Sequence, residues 1–145
     1  MSVVLDSSAA LAWIYQDESA PMAAEILQLV ITEGAWVPSI WRLEVANGLR
    51  TGIRRGRIST DYRDQALTDL ALFDIAIDPD TEKHAWTTTI RLSDRLGLTP
   101  YDAAYLELAQ RRALPLASLD NALLSAARAL GIELAGAAPE PGNSP

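Results

Sequence analysis

The sequence contains no cysteine, a single histidine, a single lysine and no long apolar run. The absence of cysteine excludes disulfide bonds and thiolate metal sites, and it suits a cytoplasmic protein. No apolar run approaches the length of a membrane span, and Asp6 interrupts the first one, so we expect neither a membrane segment nor a signal segment. Nothing places the lone histidine, His84, beside the candidate acids, and we interpret it as a solvated helix residue. These absences predict a globular cytoplasmic protein.

Basic residues are also scarce. The chain has 12 of them and 19 acidic residues, so its formal net charge is −7. The overall field of such a protein does not attract nucleic acid, so binding would require a local basic patch or a bound cation. One patch exists, where Arg50, Arg54, Arg55 and Arg57 crowd into a short span. These arginines could contact RNA phosphates or could merely stabilise the end of a helix. The sequence leaves both interpretations open.

Short apolar runs that alternate with helical patterns indicate the fold class. We predict strands at 2–6, 35–37, 74–77, 114–118 and 132–134, and helices at 7–16, 22–33, 40–55, 60–73, 81–96, 100–112 and 120–130. This alternation predicts a three-layer α/β/α sandwich with a central, mostly parallel sheet. We expect one domain over residues 1–135, followed at 136–145 by a disordered tail rich in Ala, Pro and Gly.

Three aspartates, Asp6, Asp102 and Asp120, each lie where a loop turns into a predicted helix. Aspartate is a preferred N-cap residue, so capping alone explains any one of them. Asp6 and Asp120, however, directly follow strand-like runs, and ligands of open α/β sheets bind at the carboxyl ends of strands. Asp102 lies on the apolar face of its helix beside Tyr105, where a carboxylate needs a partner.

A fourth acid, Glu44, lies within the predicted helix 40–55 and shares a face with Asn47 and Gly48. An ordinary solvent-facing glutamate is the simpler interpretation. Yet Gly48 costs the helix about 1 kcal/mol relative to alanine, and a glycine there would leave room for a substrate backbone. The opposite stripe of the helix, which we predict to face the core, consists of Ala46, Leu49 and Ile53.

Four segments resemble the successive motifs of PIN-domain ribonucleases, and in particular of the VapC-type toxins of bacterial toxin–antitoxin pairs. They are Val3-Val4-Leu5-Asp6-Ser7-Ser8, the stretch from Val37 to Asn47, the stretch from Tyr101 to Ala109, and Leu116-Ala117-Ser118-Leu119-Asp120. The resemblance implies a metal site for Mg²⁺ or Mn²⁺ formed by Asp6, Glu44, Asp102 and Asp120. It also implies endonucleolytic cleavage of RNA, a cognate antitoxin as partner, and a homodimer.

The resemblance assigns supporting roles to Ser8, Asn47 and Ser118, which lie beside the acids in the motifs. Ser118 stands where the family usually has threonine, and it retains the hydroxyl. Asn121 stands where some members carry a further acid, which leaves a second metal ion open.

The expected chemistry follows from the mutual repulsion of clustered carboxylates, which a cation relieves. Hard oxygen ligands favour Mg²⁺ or Mn²⁺ over zinc. We expect Asp6 and Asp102 to be direct ligands, and Glu44 and Asp120 to bind directly or through water. A metal-bound water would then be the nucleophile that attacks phosphorus.

The sequence is also compatible with two other functions. An inactive PIN-like domain could serve only as a protein or RNA partner, although all four acids are present. A metal-dependent adhesion module also has D-x-S-x-S after its first strand, but Ala10 occupies the final serine position here.

Overall fold

The computed structural model describes residues 1–16 and 20–136 of the chain. The strands are β1 (Val3–Leu5), β2 (Ala35–Val37), β3 (Ile75–Ile77) and β4 (Leu116–Ala117). The helices are α1 (Ser7–Tyr15), α2 (Ala20–Glu33), α3 (Trp41–Arg54), α4 (Thr60–Leu70), α5 (Ile90–Leu96), α6 (Pro100–Arg112) and α7 (Asn121–Ala129). Within these described ranges no helix combines the length and the apolar character needed to cross a membrane.

The four strands form one sheet in the order β3-β2-β1-β4, and every pairing is parallel. Val4 of the central strand β1 pairs with Trp36 on one side and with Leu116 on the other. β1 is buried throughout, as its continuous apolar run predicts for a parallel strand covered on both faces. The predicted α/β sandwich is therefore confirmed, and the carboxyl ends of β1 and β4 lie at the same edge.

Three predicted elements differ from the structure. The predicted helix 81–96 begins as a 3₁₀ turn at Glu82–His84 and a π-helical turn at Ala85–Thr89, and only α5 is α-helical. Residues 87–90 are four consecutive β-branched residues, which are weak helix formers. The predicted strand 132–134 is a single bridge between Leu134 and Leu116. Strand β4 is shorter than predicted, because Pro115 has no N–H to donate. Of the predicted tail, residues 137–145 lie outside the described residues.

The core-facing stripe of α3 also differs from the prediction. Ala46 is exposed and Ile53 is only half-buried. The buried residues of this helix are Trp41, Val45, Leu49 and Gly52. This stripe lies closer to Glu44 than the predicted one, so Glu44 is half-buried rather than solvent-facing.

Gly48 serves the packing of α1 against α3, and the prediction that it admits a substrate is wrong. A β-carbon on Gly48 would lie 2.5 Å from Leu11 Cδ1 of α1. The Tyr15 hydroxyl donates a hydrogen bond of 2.6 Å to the Gly48 carbonyl oxygen, and the Tyr15 ring fills the space above Gly52. The two glycines therefore allow a close approach of the helix that follows β1 and the helix that carries Glu44.

A buried ionic cluster joins the end of β3 to the last turns of α6. Arg111 donates hydrogen bonds of 3.1 and 2.6 Å to the two carboxylate oxygens of Asp78, which is 1% exposed. Arg111 also pairs with Glu107, four residues earlier on α6, at 2.7 Å. Burial by itself would raise the pKa of Asp78, but hydrogen bonds from Arg111, Thr81 and Arg112 hold it well below its ordinary value.

Candidate active site

Asp6 occupies the N-cap position of α1 but does not cap the helix. Its backbone is extended, at φ −74° and ψ 148°, and its side chain accepts no hydrogen bond from a backbone amide of the first turn. Instead, Oδ2 of Asp6 accepts a bond of 2.6 Å from the Ser8 hydroxyl and one of 2.7 Å from the Ser118 hydroxyl. The carboxyl group is therefore held in place by α1 and by the end of β4, although Asp6 is only 4% exposed.

Both hydroxyls are themselves fixed by backbone amides. The Ser8 hydroxyl oxygen accepts from the Leu119 amide and the Ser118 hydroxyl oxygen accepts from the Asp120 amide, each at 3.0 Å. Because each hydroxyl oxygen accepts from an amide, each hydroxyl is oriented to donate its proton to Oδ2 of Asp6. Oδ1 of Asp6 has no hydrogen-bond partner in the part of the chain that the structure describes.

Glu44 is bound to a tyrosine that the sequence motifs did not assign to the site. The hydroxyl of Tyr105 donates a hydrogen bond of 2.5 Å to Oε1 of Glu44, and Tyr105 is fully buried. Burial raises the pKa of Tyr105 far above its usual range, and the charges of Asp6 and Glu44 raise it further, so the hydroxyl stays a donor. The signal that could have identified Tyr105 is its hydroxyl on a buried helix face, which requires a partner.

Asp102 and Asp120 occupy different positions relative to their helices. Thr99 caps α6, because its hydroxyl accepts a hydrogen bond of 3.2 Å from the Asp102 amide. Asp102 therefore lies inside the first turn and is half-buried. Asp120 does cap α7, since its Oδ1 accepts from the Leu123 amide at 3.0 Å. The capping interpretation thus holds for Asp120 and fails for the other two aspartates.

The four carboxylates form one electrostatic cluster. Burial raises the pKa of Asp6 above its ordinary value, and the nearby charges of Asp120 and Asp102 raise it further. Burial likewise raises the pKa of Glu44, to which Asp6 and Asp102 add. The pKa of Asp102 is raised by burial and then by Asp120. Neighbouring like charges disfavour ionisation, so Asp6, Glu44 and Asp102 are each affected by at least one other acid of the cluster.

Two other residues singled out in the sequence lie outside these contacts. Asn47 is exposed, and its backbone carbonyl accepts a hydrogen bond from the Thr51 hydroxyl. No hydrogen bond joins its side chain to the acids among the residues described. His84 is half-buried in the 3₁₀ turn rather than fully solvated, and among the described residues no hydrogen bond or ion pair joins its side chain to the four acids.

Comparison with known proteins identifies the family. The family model described as PIN domain matches residues 3–129. The chain belongs to the PIN domain family. The PIN domain resembles the crystal structure of PAE2754 from Pyrobaculum aerophilum, with a TM-score of 0.65 and 23% sequence identity over 87% of this chain and 84% of that one. No curated protein matches the chain. PIN domains are typically nucleases and usually use divalent metal ions.

The donor set of this PIN domain suits a hard cation, although its side chains do not converge on one point. Within residues 1–16 and 20–136, no three acidic or histidine side chains are arranged to hold a single metal ion. The four acids we expected around one ion are therefore close neighbours rather than an assembled ligand set. Mg²⁺ needs only one or two carboxylates and completes its shell with water, so these residues fit a partly hydrated ion.

Proposed function

We propose that this PIN domain is an endoribonuclease dependent on Mg²⁺ or Mn²⁺, with Asp6, Glu44, Asp102 and Asp120 as its active-site acids. The observation that carries the proposal is Asp6, a buried carboxylate at an N-cap position that does not cap its helix. Burying it beside three other acids costs free energy that a bound cation would offset. A site of this kind is expected where the cluster serves chemistry rather than stability.

The chain's own residues prepare the site in two ways. Ser8 and Ser118 hold Oδ2 of Asp6, so its other oxygen is available to a ligand. Tyr105 fixes the orientation of Glu44. When bound, the metal ion would lower the pKa of a coordinated water and neutralise charge on the phosphoryl oxygens.

In this proposal Asp6 and Asp102 would hold the ion directly, while Glu44 and Asp120 would reach it directly or through water. Asp120 can do so with the oxygen that does not cap α7.

The substitution Asp6→Asn tests the proposal. The amide oxygen of asparagine can accept both serine hydroxyls, so the fold should persist while the ionic ligand is removed. RNA cleavage should fall by more than about 100-fold, because even changes behind the direct ligands of a metal cost about 10–100-fold. Asp94→Asn, at an exposed aspartate of α5, is the control and should cleave like the parent. A folded Asp6→Asn protein that cleaves RNA as fast as the parent would refute the proposal.

We further propose that the protein acts as the toxin of a toxin–antitoxin pair and forms a homodimer. Large apolar side chains on the surface support contact with protein partners, since Leu43 is 74% and Trp86 91% exposed. Induced expression should arrest growth, Asp6→Asn should abolish the arrest, and co-expression of the cognate antitoxin should relieve it. If the protein were an inactive binding partner, RNA would bind but survive incubation with Mg²⁺ or Mn²⁺.

A further inference from the structure

Positive charge is concentrated in one span of this acidic protein. Residues 41–57 contain five of the chain's 12 bases and only one of its 19 acids, which is Glu44. The rest of the chain is therefore strongly negative. A local basic region of this kind is what an acidic protein requires if it is to bind a polyanion.

The helical phase of α3 places two of these arginines on one face with Asn47. Asn47, Arg50 and Arg54 follow one another at i, i+3 and i+7, and all three side chains are exposed. This face, which we call the α3 arginine face, lies opposite the buried stripe that includes Val45 and Leu49. Asn47 lies between the arginines and Glu44 on the helix surface. The face therefore continues from the acidic cluster along the outside of α3.

The distances along the helix suit contacts beyond the bond that is cut. At a rise of 1.5 Å per residue, Arg50 lies about 9 Å and Arg54 about 15 Å along the axis from Glu44. Both arginines can thus reach phosphates that flank the scissile one without competing for the site itself.

Neither arginine is engaged in an ion pair with any of the described residues. The arginines that do form such pairs are Arg63, Arg111 and Arg112. Stabilising the end of α3 would not require Arg50, because it lies more than a turn before that end and the dipole effect falls off within the last turn. The two guanidinium groups are therefore available to bidentate acceptors such as phosphate.

We infer that the α3 arginine face binds the backbone phosphates of the RNA strand beside the cleaved bond, because it joins exposed arginines to the acidic cluster on a single helix. The inference rests on the proposed function for its substrate. Such contacts are independent of sequence and position the strand rather than select it.

The test compares two double variants with the same change in charge. Arg50→Gln/Arg54→Gln alters the face, and Arg91→Gln/Arg95→Gln alters two exposed arginines with the same i,i+4 spacing on α5. Each is combined with Asp6→Asn, so that a labelled single-stranded RNA is bound but not cut. The dissociation constant is measured by fluorescence anisotropy over a series of KCl concentrations.

The Arg50→Gln/Arg54→Gln protein should bind RNA about tenfold more weakly. Its salt slope should be smaller by about 1.4, since each phosphate that an arginine neutralises on a single strand accounts for about 0.7. The Arg91→Gln/Arg95→Gln protein should bind like its parent. With Asp6 intact, removal of the two arginines from the face should raise KM for RNA and leave kcat unchanged.

Equal binding by the two double variants would overturn the inference, whether or not the parent cleaves RNA. That result is also expected if an acidic protein, rather than RNA, occupies the face. Weaker binding by Arg50→Gln/Arg54→Gln alone would support RNA binding by the α3 arginine face even if no RNA were cleaved. The cleavage assay tests the nuclease proposal separately.

Discussion

Asp6 shows at the scale of one residue how the candidate site conflicts with stability. Its carboxylate is buried and its neighbours carry the same charge, so ionisation is disfavoured in the folded protein. The two serine hydroxyls only partly compensate. In the absence of metal, the ionised residue therefore destabilises the fold that it serves, as is common at functional sites.

We predict that Asp6→Asn stabilises the metal-free protein at neutral pH by about 0.5–2 kcal/mol. The pKa of Asp6 is raised on folding, so the folded parent binds its proton more tightly than the unfolded chain does. The advantage of the variant should therefore shrink as the pH falls toward the ordinary pKa of aspartate. Urea unfolding in EDTA at neutral and mildly acidic pH measures this difference.

Addition of Mn²⁺ should make the parent more stable than Asp6→Asn, because the ion binds to the folded parent and not to the folded variant. A parent protein that Mn²⁺ does not stabilise would contradict the assignment of Asp6 as a metal ligand.

Tyr105→Phe removes the hydroxyl that donates to Glu44 and preserves the buried ring. We expect the RNA-cleaving activity to fall about tenfold, in the range seen when partners of metal ligands are removed. In the parent, the hydrogen bond from this hydroxyl lowers the pKa of Glu44. The acid limb of the pH–activity profile of the variant should therefore move to higher pH.

Tyr62→Phe is the matched control for this change, because its hydroxyl donates to the Ile14 carbonyl. It should leave the pH profile in place. Identical profiles for Tyr105→Phe and the parent would show that the hydroxyl does not position Glu44.

At the scale of elements, the pair α1 and α3 positions two side chains of the candidate site. The first turn of α1 carries Ser8 and the first turn of α3 carries Glu44. Their relative position depends on the close approach at Gly48 and Gly52. A change at either glycine should therefore affect the site through helix packing.

We predict that Gly52→Ala destabilises the protein by about 1–3 kcal/mol, the usual cost of overpacking, despite the better helix propensity of alanine. The added methyl group would collide with the side chain of Tyr15. The guanidinium group of Arg57 packs on the same ring, with its central carbon 4.4 Å from the ring centroid. Urea unfolding gives the change in free energy. In a Tyr15→Leu background the same substitution should cost less, and additive effects of the two substitutions would contradict the contact.

The sequence predicts the elements whose patterns are local and uninterrupted. The run Val3–Leu5 identifies the central strand because a buried parallel strand is apolar on both faces. The prediction of a fifth helix over 81–96 was wrong at its start, where 3₁₀ and π-helical turns lead into the β-branched residues 87–90. The phase of α3 was also misjudged, because alanine and glycine give little indication of which face is buried.

The candidate acids themselves could be selected from the sequence, whereas their partners could not. Asp6 and Asp102 stand out because they follow a strand or lie on an apolar face. The bond between Glu44 and Tyr105 joins positions 61 residues apart, and no local pattern encodes it. The role of Gly48 depends in the same way on the position of α1.

At the scale of the whole molecule, α6 connects two polar clusters. Its first turns carry Asp102 and Tyr105. Its later turns carry Glu107 and Arg111, and Arg111 binds both Glu107 and Asp78, the residue after β3. The ionic cluster thereby fixes the far end of the helix that presents part of the candidate site.

We predict that Asp78→Asn destabilises the protein by about 3 kcal/mol at neutral pH. The substitution removes the buried carboxylate that pairs with Arg112 and leaves Arg111 with Glu107 alone. The pKa of Asp78 is lowered on folding, so its contribution is present above the ordinary pKa of aspartate and disappears as the pH falls through the lowered value. The difference between parent and variant should therefore narrow in strong acid, which urea unfolding over a pH series measures. Asp80→Asn, which affects only an exposed pair with Lys83, should change stability little; equal effects of both substitutions would contradict the role of the cluster.

The hydrogen bond between Ser118 and Asp6 joins residues 112 positions apart, one directly after the last strand and the other directly after the first. While the chain is still being synthesised, Asp6 is present on the nascent polypeptide without this partner. Strand β4 must also leave the ribosome before β1 has its second neighbour in the sheet. The proposed nuclease therefore cannot mature before residue 118 has emerged, and translation itself delays the appearance of its activity.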